Sequence, residues 1–236
     1  MEQSHPGAEE PRALVQQPTS PMQLAHLVLR TPKYRVMCDF YKVILNARVA
    51  FEDRLACFLR YDAEHHRLVI VNAPTLTPPG PTAAGLAHFA FTYRTLGELF
   101  GNYQRLQRHG IDPCWCINHG FTTSIYYYDP DGNQVETQYD NMSTADADAF
   151  MRSDYFKKNP IGVDFDPELL IQRFMRGDPM RELIKQGSAP FREDVMPVRP
   201  RRVADYDYRG ALLGTTDVPI VRELRRDTST QQPAHD

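Results

Sequence analysis

The chain has 236 residues, 42% hydrophobic and 24% charged, a composition that suits a folded globular protein with room for a sizeable core. Its net charge of −3 leaves no electrostatic footprint for nucleic acid or an anionic membrane surface, so neither partner is expected. No run approaches the roughly 18 apolar residues of a membrane span, and residues 1–20 lack the apolar centre of a signal peptide, so a cytoplasmic location is expected.

In chain order, residues 1–21 are polar and read as a disordered leader. The segment Leu24-Ala25-His26-Leu27-Val28-Leu29 reads as a short strand. Tyr34, Met37, Phe40, Tyr41, Ile44 and Leu45 then recur at helical spacing, and residues 56–61 and 67–72 form two strand-like runs joined by a polar turn. The pattern restarts at Leu86-Ala87-His88-Phe89-Ala90-Phe91. Thr95 and Glu98 form a capping-box pattern, Leu99, Tyr103 and Leu106 give an apolar stripe, and Gly110 sits where a helix would stop. Residues 122–128 and 134–139 read as strands joined by Asp129-Pro130-Asp131-Gly132.

Two units, residues 22–77 and 84–141, therefore each read strand, helix, further strands, a pseudo-symmetric α+β arrangement. Residues 142–187 read as a helical extension. Asp166-Pro167-Glu168 opens one helix that can run to Arg176, and Asp178-Pro179 opens another that can run to about Gln186. Residues 188–236 form a tail rich in Pro and Arg, with short apolar pieces at 211–213 and 218–221. The four cysteines, Cys38, Cys57, Cys114 and Cys116, are too few for a disulfide scaffold and lack zinc-knuckle spacing, so they read as ordinary thiols.

His26 and His88 occupy the same place in the two units, and such a pair can meet in one cavity if the units pack about a pseudo-twofold axis. Setting Tyr61-Asp62 against Tyr128-Asp129 places Val69 opposite Glu136. A carboxylate inside a good strand is costly to bury unless something compensates it, and a metal would do so. Because the first unit has Val69 at that place, one metal site is expected, held by His26, His88 and Glu136. Two His and one carboxylate suit Fe(II) enzymes that bind dioxygen and substrate, but also Mn(II), Ni(II) or Zn(II) in other chemistry. His65-His66 and His119 precede strands near this site and could move protons near neutral pH, whereas His109, His5 and His235 read as incidental.

Together with Asn118-His119, the run Ser124-Ile125-Tyr126 through Asp129-Pro130-Asp131-Gly132-Asn133-Gln134-Val135-Glu136, and Asn159-Pro160-Ile161-Gly162-Val163-Asp164-Phe165-Asp166-Pro167, these motifs resemble the type I extradiol ring-cleaving dioxygenases of the vicinal-oxygen-chelate superfamily. The resemblance is to the short biphenyl-2,3-diol 1,2-dioxygenase-like members and covers residues 23–186. It implies two tandem βαβββ modules, a ferrous ion on His26, His88 and Glu136 (with Mn(II) or another divalent metal as alternatives), and His66, His119 and Tyr126 as the catalytic second sphere. It implies a catechol-type substrate, O2, and a homo-oligomer. Cys114, Trp115, Phe121 and Tyr128 are candidates to line the pocket. An isomerase, epimerase or thiol transferase on this scaffold would keep the metal ligands without calling for His66, His119 and Tyr126. A drug-sequestering binding protein would need the cavity but no metal.

Overall fold

The computed structural model describes residues 18–77 and 84–191. Most of the expected leader and tail, with the short apolar pieces at 211–213 and 218–221, lies outside the described residues, as do His5 and His235. The first unit runs β1 (Leu27–Thr31), α1 (Tyr34–Ile44), β2 (Arg48–Glu52), β3 (Ala56–Arg60) and β4 (Leu68–Asn72). The second runs β5 (His88–Tyr93), α2 (Leu96–Arg108), β6 (Trp115–Asn118), β7 (Thr122–Tyr128) and β8 (Gln134–Asp140). Each unit is βαβββ, and the architecture is α+β as its periodicity predicts. The first sheet has the order β1-β4-β3-β2. The second has β5-β8-β7-β6, extended at its edge by β9 (Val163–Asp164).

The helices form where one apolar face can be covered. In α1 the buried face is Tyr34, Met37, Cys38, Phe40, Tyr41 and Ile44, and the chain leaves it through Asn46 at φ 48°, a left-handed turn that Asn tolerates. In α2 the Thr95 hydroxyl accepts from the Glu98 amide at 3.1 Å, and the Glu98 carboxylate accepts from the Arg94 amide at 2.9 Å, so the expected capping pattern is made. The β7–β8 turn is built on Asp129, whose carboxylate accepts from the amides of Asp131 at 2.9 Å and Asn133 at 2.8 Å.

The helix-side faces of both sheets share one core with α1 and α2. The units are tied across it by the Tyr41 hydroxyl, which donates to the Asp129 carboxylate at 2.8 Å, and by Tyr41 stacked over Phe89 at 6.3 Å. Burial raises the Asp129 pKa even though Asn133, Tyr41 and backbone amides favour the anion.

Several elements differ from the sequence expectation. β1 starts at Leu27, so His26 precedes the strand instead of lying inside it. β2 and β6 were not apparent from residue patterns alone. The extension adds α3 (Thr144–Arg152), α4 (Asp154–Lys158), α5 (Pro167–Met175) and α6 (Met180–Leu183). α5 follows the expected Asp166 cap and Pro167 start, but α6 is a single turn and does not reach Gln186. The extension docks on the second unit: Leu170, Ile171 and Leu183 join the core, and the Asn118 amide side chain donates to the Ile184 carbonyl at 2.8 Å. Among the described residues no helix is long and apolar enough to cross a membrane.

Candidate metal centre

Alternation along the second sheet divides it cleanly. Phe89, Phe91, Ile125, Tyr127 and Val135 face the helices and the core. The opposite face carries His88 at the start of β5, Tyr126 on β7 and Glu136 on β8. Tyr126 stands directly opposite Glu136 across the β7–β8 ladder, and Trp115 of β6 stands opposite Tyr126. The expected equivalence of Val69 and Glu136 is visible in the registers: Val69 pairs with Val28, two residues after His26, and Glu136 with Ala90, two residues after His88.

Glu136 is only 4% exposed. Its Oε2 lies 3.2 Å from His88 Nε2. Burial pushes the Glu136 pKa up, but hydrogen bonds from His88 and Ser124 and the nearby His119 imidazole outweigh it and hold the carboxyl below its ordinary value, so the group is an anion. His119 sits at the other end of the cluster. Its Nδ1 faces the Ile161 carbonyl at 2.5 Å, and because a carbonyl only accepts, that nitrogen carries the proton. In the neutral ring the Nε2 lone pair is then free to accept from the Tyr126 hydroxyl, 3.0 Å away. Burial lowers the His119 pKa, with the Ile161 carbonyl and Glu136 opposing, so the neutral ring persists at neutral pH. Burial and the Glu136 charge together push the Tyr126 phenol far above its ordinary value. Glu136, Tyr126 and His119 thus form a buried relay whose hydroxyl lies between an anion and an unprotonated imidazole nitrogen.

Aromatic rings pack around this relay. Trp115 stacks on Tyr126 at 4.9 Å, and Phe121 stacks on His119 at 6.2 Å. Phe150 and Phe156 of the extension reach Phe121 at 6.4 and 6.1 Å. Of the candidate lining residues, Trp115 and Phe121 lie against the relay, Cys114 packs on the Trp115–Ile117–Tyr126 group, and Tyr128 shares the Glu136 face through its pairing with Gln134. All four cysteines are free thiols.

His26 and His66 lie elsewhere. Their rings meet at 4.6 Å on the open face of the first sheet, where His66 also stands edge-on to Phe58 at 5.2 Å. His26 is exposed. Within one chain the expected ligands are therefore brought together as two sets: His88 and Glu136 with His119 and Tyr126, and His26 with His66. Among the described residues, the group of three potential ligands whose donor atoms all lie within 4.8 Å of one another is Cys38, Glu52 and Cys57. There the Glu52 oxygens already meet Arg35 at 2.7 Å and Lys42 at 3.2 Å, two cations that oppose a third.

The second-sheet set fits a divalent ion. Two donors about 2.1 Å from one ion and at right angles lie about 3 Å apart, the spacing of His88 Nε2 and Glu136 Oε2. His88 Nδ1, the ring nitrogen turned away from Glu136, is buried and has no hydrogen-bond partner.

Residues 23–137 match the sequence profile of the Glyoxalase/Bleomycin resistance protein/Dioxygenase superfamily. Over 164 residues the chain is 46% identical to Biphenyl-2,3-diol 1,2-dioxygenase 2 of Rhodococcus globerulus, covering 69% of this chain and 86% of that one. The chain belongs to the glyoxalase/bleomycin resistance/dioxygenase superfamily. A second relative in this superfamily, Biphenyl-2,3-diol 1,2-dioxygenase 3 of the same organism, is 41% identical over 164 residues, or 68% of this chain and 86% of that one. Among solved structures, lactoylglutathione lyase from Agrobacterium tumefaciens aligns with 51% of this chain and 96% of its own, at 17% identity and TM-score 0.42.

Set in this superfamily's paired βαβββ units, three parts of the site have no simple residue signature: the Ser124 hydroxyl beside Glu136, the Ile161 carbonyl that fixes the His119 tautomer, and Gly162 behind that carbonyl. Gly162 adopts φ +118°, and a Cβ there would stand 2.3 Å from the Asn118 carbonyl oxygen. Gly162→Ala is expected to push the Ile161 loop off the β6 end, destabilise the protein by about 2 kcal/mol or more, and loosen His119. Urea denaturation checks the first effect, and the histidine Nδ1–H resonance checks the second.

Proposed function

We propose that this protein is an extradiol dioxygenase that takes a catechol-type diol and O2 and opens the ring beside the diol, with both oxygen atoms retained in the product. The observation that carries this reading is the 46% identity to a biphenyl-2,3-diol 1,2-dioxygenase across 86% of that relative's length. The ligand assignment is His26, His88 and Glu136, and Fe(II) is the ion assigned to them, ahead of Mn(II) or another divalent metal. That ion, when bound, supplies Lewis acidity and a common meeting point for the diol and O2, which removes most of the entropic cost of their encounter.

The chain's own groups account for proton handling and positioning. A diol that binds as an anion must give up a proton, and His119 Nε2 is an unprotonated acceptor held in place through Ile161. With the diol bound, the Tyr126 hydroxyl is assigned to turn its one hydrogen from that nitrogen to the diol oxygen, which favours the anionic form and leaves Nε2 open to the diol's proton. Glu136 would hold the ion and offset one of its positive charges, and by facing Tyr126 it keeps the phenol protonated for that donation. Trp115 and Phe121 offer aromatic surfaces suited to a planar ring. His66 is assigned the acid–base role at the O2 side. Its pKa is lowered by burial and by the neighbouring His65 and His26, with Glu64 opposing, so it too holds an unprotonated nitrogen at neutral pH. A cytoplasmic location without nucleic-acid or membrane partners belongs to the same reading.

The test is anaerobic loading with Fe(II), followed by air and a panel of single-ring and two-ring catechols. Oxygen uptake with a yellow ring-fission product is expected. Absence of uptake across the whole panel by iron-loaded protein would overturn the reading.

A further inference from the structure

We propose that Cys38 and Cys57 form a dithiol that reacts with hydroperoxides and closes reversibly into a disulfide, with Cys38 as the attacking sulfur. This modification site lies in the first unit, on the helix side of its sheet, and depends on neither the metal assignment nor the ring-cleavage reading.

The two sulfurs are set together by the packing of α1 on the first sheet. Cys38 lies on the buried face of α1 and Cys57 on the core face of β3, and both are 0% exposed. Their sulfurs and a Glu52 carboxylate oxygen all lie within 4.8 Å of one another, and the Cys57 thiol donates to the Cys38 sulfur. Glu52 joins them because it stands directly opposite Cys57 across the β2–β3 ladder.

The charges around the pair favour one sulfur over the other. Arg35, Cys38 and Lys42 are spaced three and four residues apart on α1, which puts them on one stripe of the helix. Arg35 and Lys42 both meet Glu52, so the carboxylate is held across the thiols from β2 to α1. The hydrogen bond from Cys57 holds the Cys38 thiol below its ordinary value, with burial and the Glu52 charge opposing and Lys42 helping. The same hydrogen bond, with burial, pushes the Cys57 thiol far up. Cys38 is therefore the nucleophile and Cys57 the partner that resolves it. The other two cysteines differ: burial pushes Cys114 up to about 12 and Cys116 well above its ordinary value, and neither has a cation beside it.

Small oxidants have a short way in. Arg35, Glu52, Asp53, Arg54 and Leu55 line an open pocket at the β2–β3 turn. Glu52 belongs both to that pocket and to the thiol group, so the sulfurs lie one side chain in from solvent.

The chemistry balances with a hydroperoxide as the oxidant. The Cys38 sulfur attacks one peroxide oxygen; an S–O bond forms, the O–O bond breaks, and the leaving oxygen departs as an alcohol or water with the thiol's proton. The Cys57 sulfur then attacks the Cys38 sulfenic acid; an S–S bond forms, the S–O bond breaks, and hydroxide leaves as water with the Cys57 proton. Two thiols are oxidised and one hydroperoxide is reduced. A dithiol reductant reverses the change.

The test treats the full-length, iron-free protein with hydrogen peroxide, blocks the remaining thiols under denaturing conditions, and maps the peptides by mass. A Cys38 peptide joined to a Cys57 peptide, two hydrogens lighter than the pair, is expected, with Cys114 and Cys116 blocked as thiols and the link lost on dithiothreitol treatment. This mapping needs no substitution, so it does not depend on how a variant folds. In Cys57→Ser, Cys38 should stop at the sulfenic acid and be trapped by a cyclic diketone, whereas in Cys38→Ser, Cys57 should stay a thiol. Wild-type protein with all four cysteines still reduced, or with Cys114 or Cys116 oxidised ahead of Cys38, would overturn the proposal. A trapped sulfenic acid on Cys57 in Cys38→Ser would overturn the assignment of Cys38 as the attacking sulfur.

Discussion

Replacing Glu136 with Ala is expected to empty the metal site and to lower kcat/KM by at least roughly 1,000-fold, about 4 kcal/mol of transition-state stabilisation. Glu136 is the buried carboxylate on the ligand face, 4% exposed and held as an anion by His88, Ser124 and His119. Without it, the ligand set keeps only the imidazoles of His26 and His88, which bring no negative charge to offset that of a divalent ion. The fold should survive, because the strand loses a buried charge and no core side chain. Glu136→Gln should behave nearly as badly, since it preserves shape but not charge. Circular dichroism, bound metal and oxygen uptake on the same preparation separate these effects. Retention of metal by Glu136→Ala would remove Glu136 from the ligand set.

Tyr126→Phe and His119→Gln should retain metal and lose activity by roughly 100- to 10,000-fold, the range for removal of a positioned acid–base group. Tyr126 is 2% exposed, and its ring packing on Trp115 is independent of the hydroxyl, so the Phe variant should fold normally. The pH profile separates the two. His119 titrates below its ordinary value of 6.5, so its unprotonated form is present at neutral pH and is lost only as pH falls through that lowered pKa. The acid limb of kcat/KM should therefore lie below that of an ordinary histidine, and it should vanish in His119→Gln but persist in Tyr126→Phe. An unchanged acid limb in His119→Gln would assign the proton acceptor to another group.

Much of the scaffold was legible in the sequence because its signals are local. The Thr95–Glu98 cap, the Asp129–Gly132 turn and the apolar face of α1 each depend on residues a few positions apart, and each appears where its spacing requires. The repeat itself gave the correspondence of Val69 with Glu136, which the two sheet registers reproduce.

What escaped was short or non-local. β2 reads Arg-Val-Ala-Phe-Glu and is largely exposed, so it shows no alternation. β6 has four residues, all buried, and its partners lie on β7 and β9. α3 buries no residue and is fixed by the Ser143 cap, so it lacks an apolar stripe to reveal it. The Ile161 carbonyl is a backbone group with no sequence signature. Repeat symmetry marked His26 and His88 as equivalent, but it says nothing of whether equivalent positions meet within a chain or between chains. That depends on which faces the units use to pack.

The most direct test of oxygen chemistry at this centre is to run the iron-loaded protein with a turned-over catechol under heavy-isotope dioxygen and to weigh the ring-opened product. Both heavy atoms in the product is the predicted result. A product carrying one heavy atom or none would contradict the account.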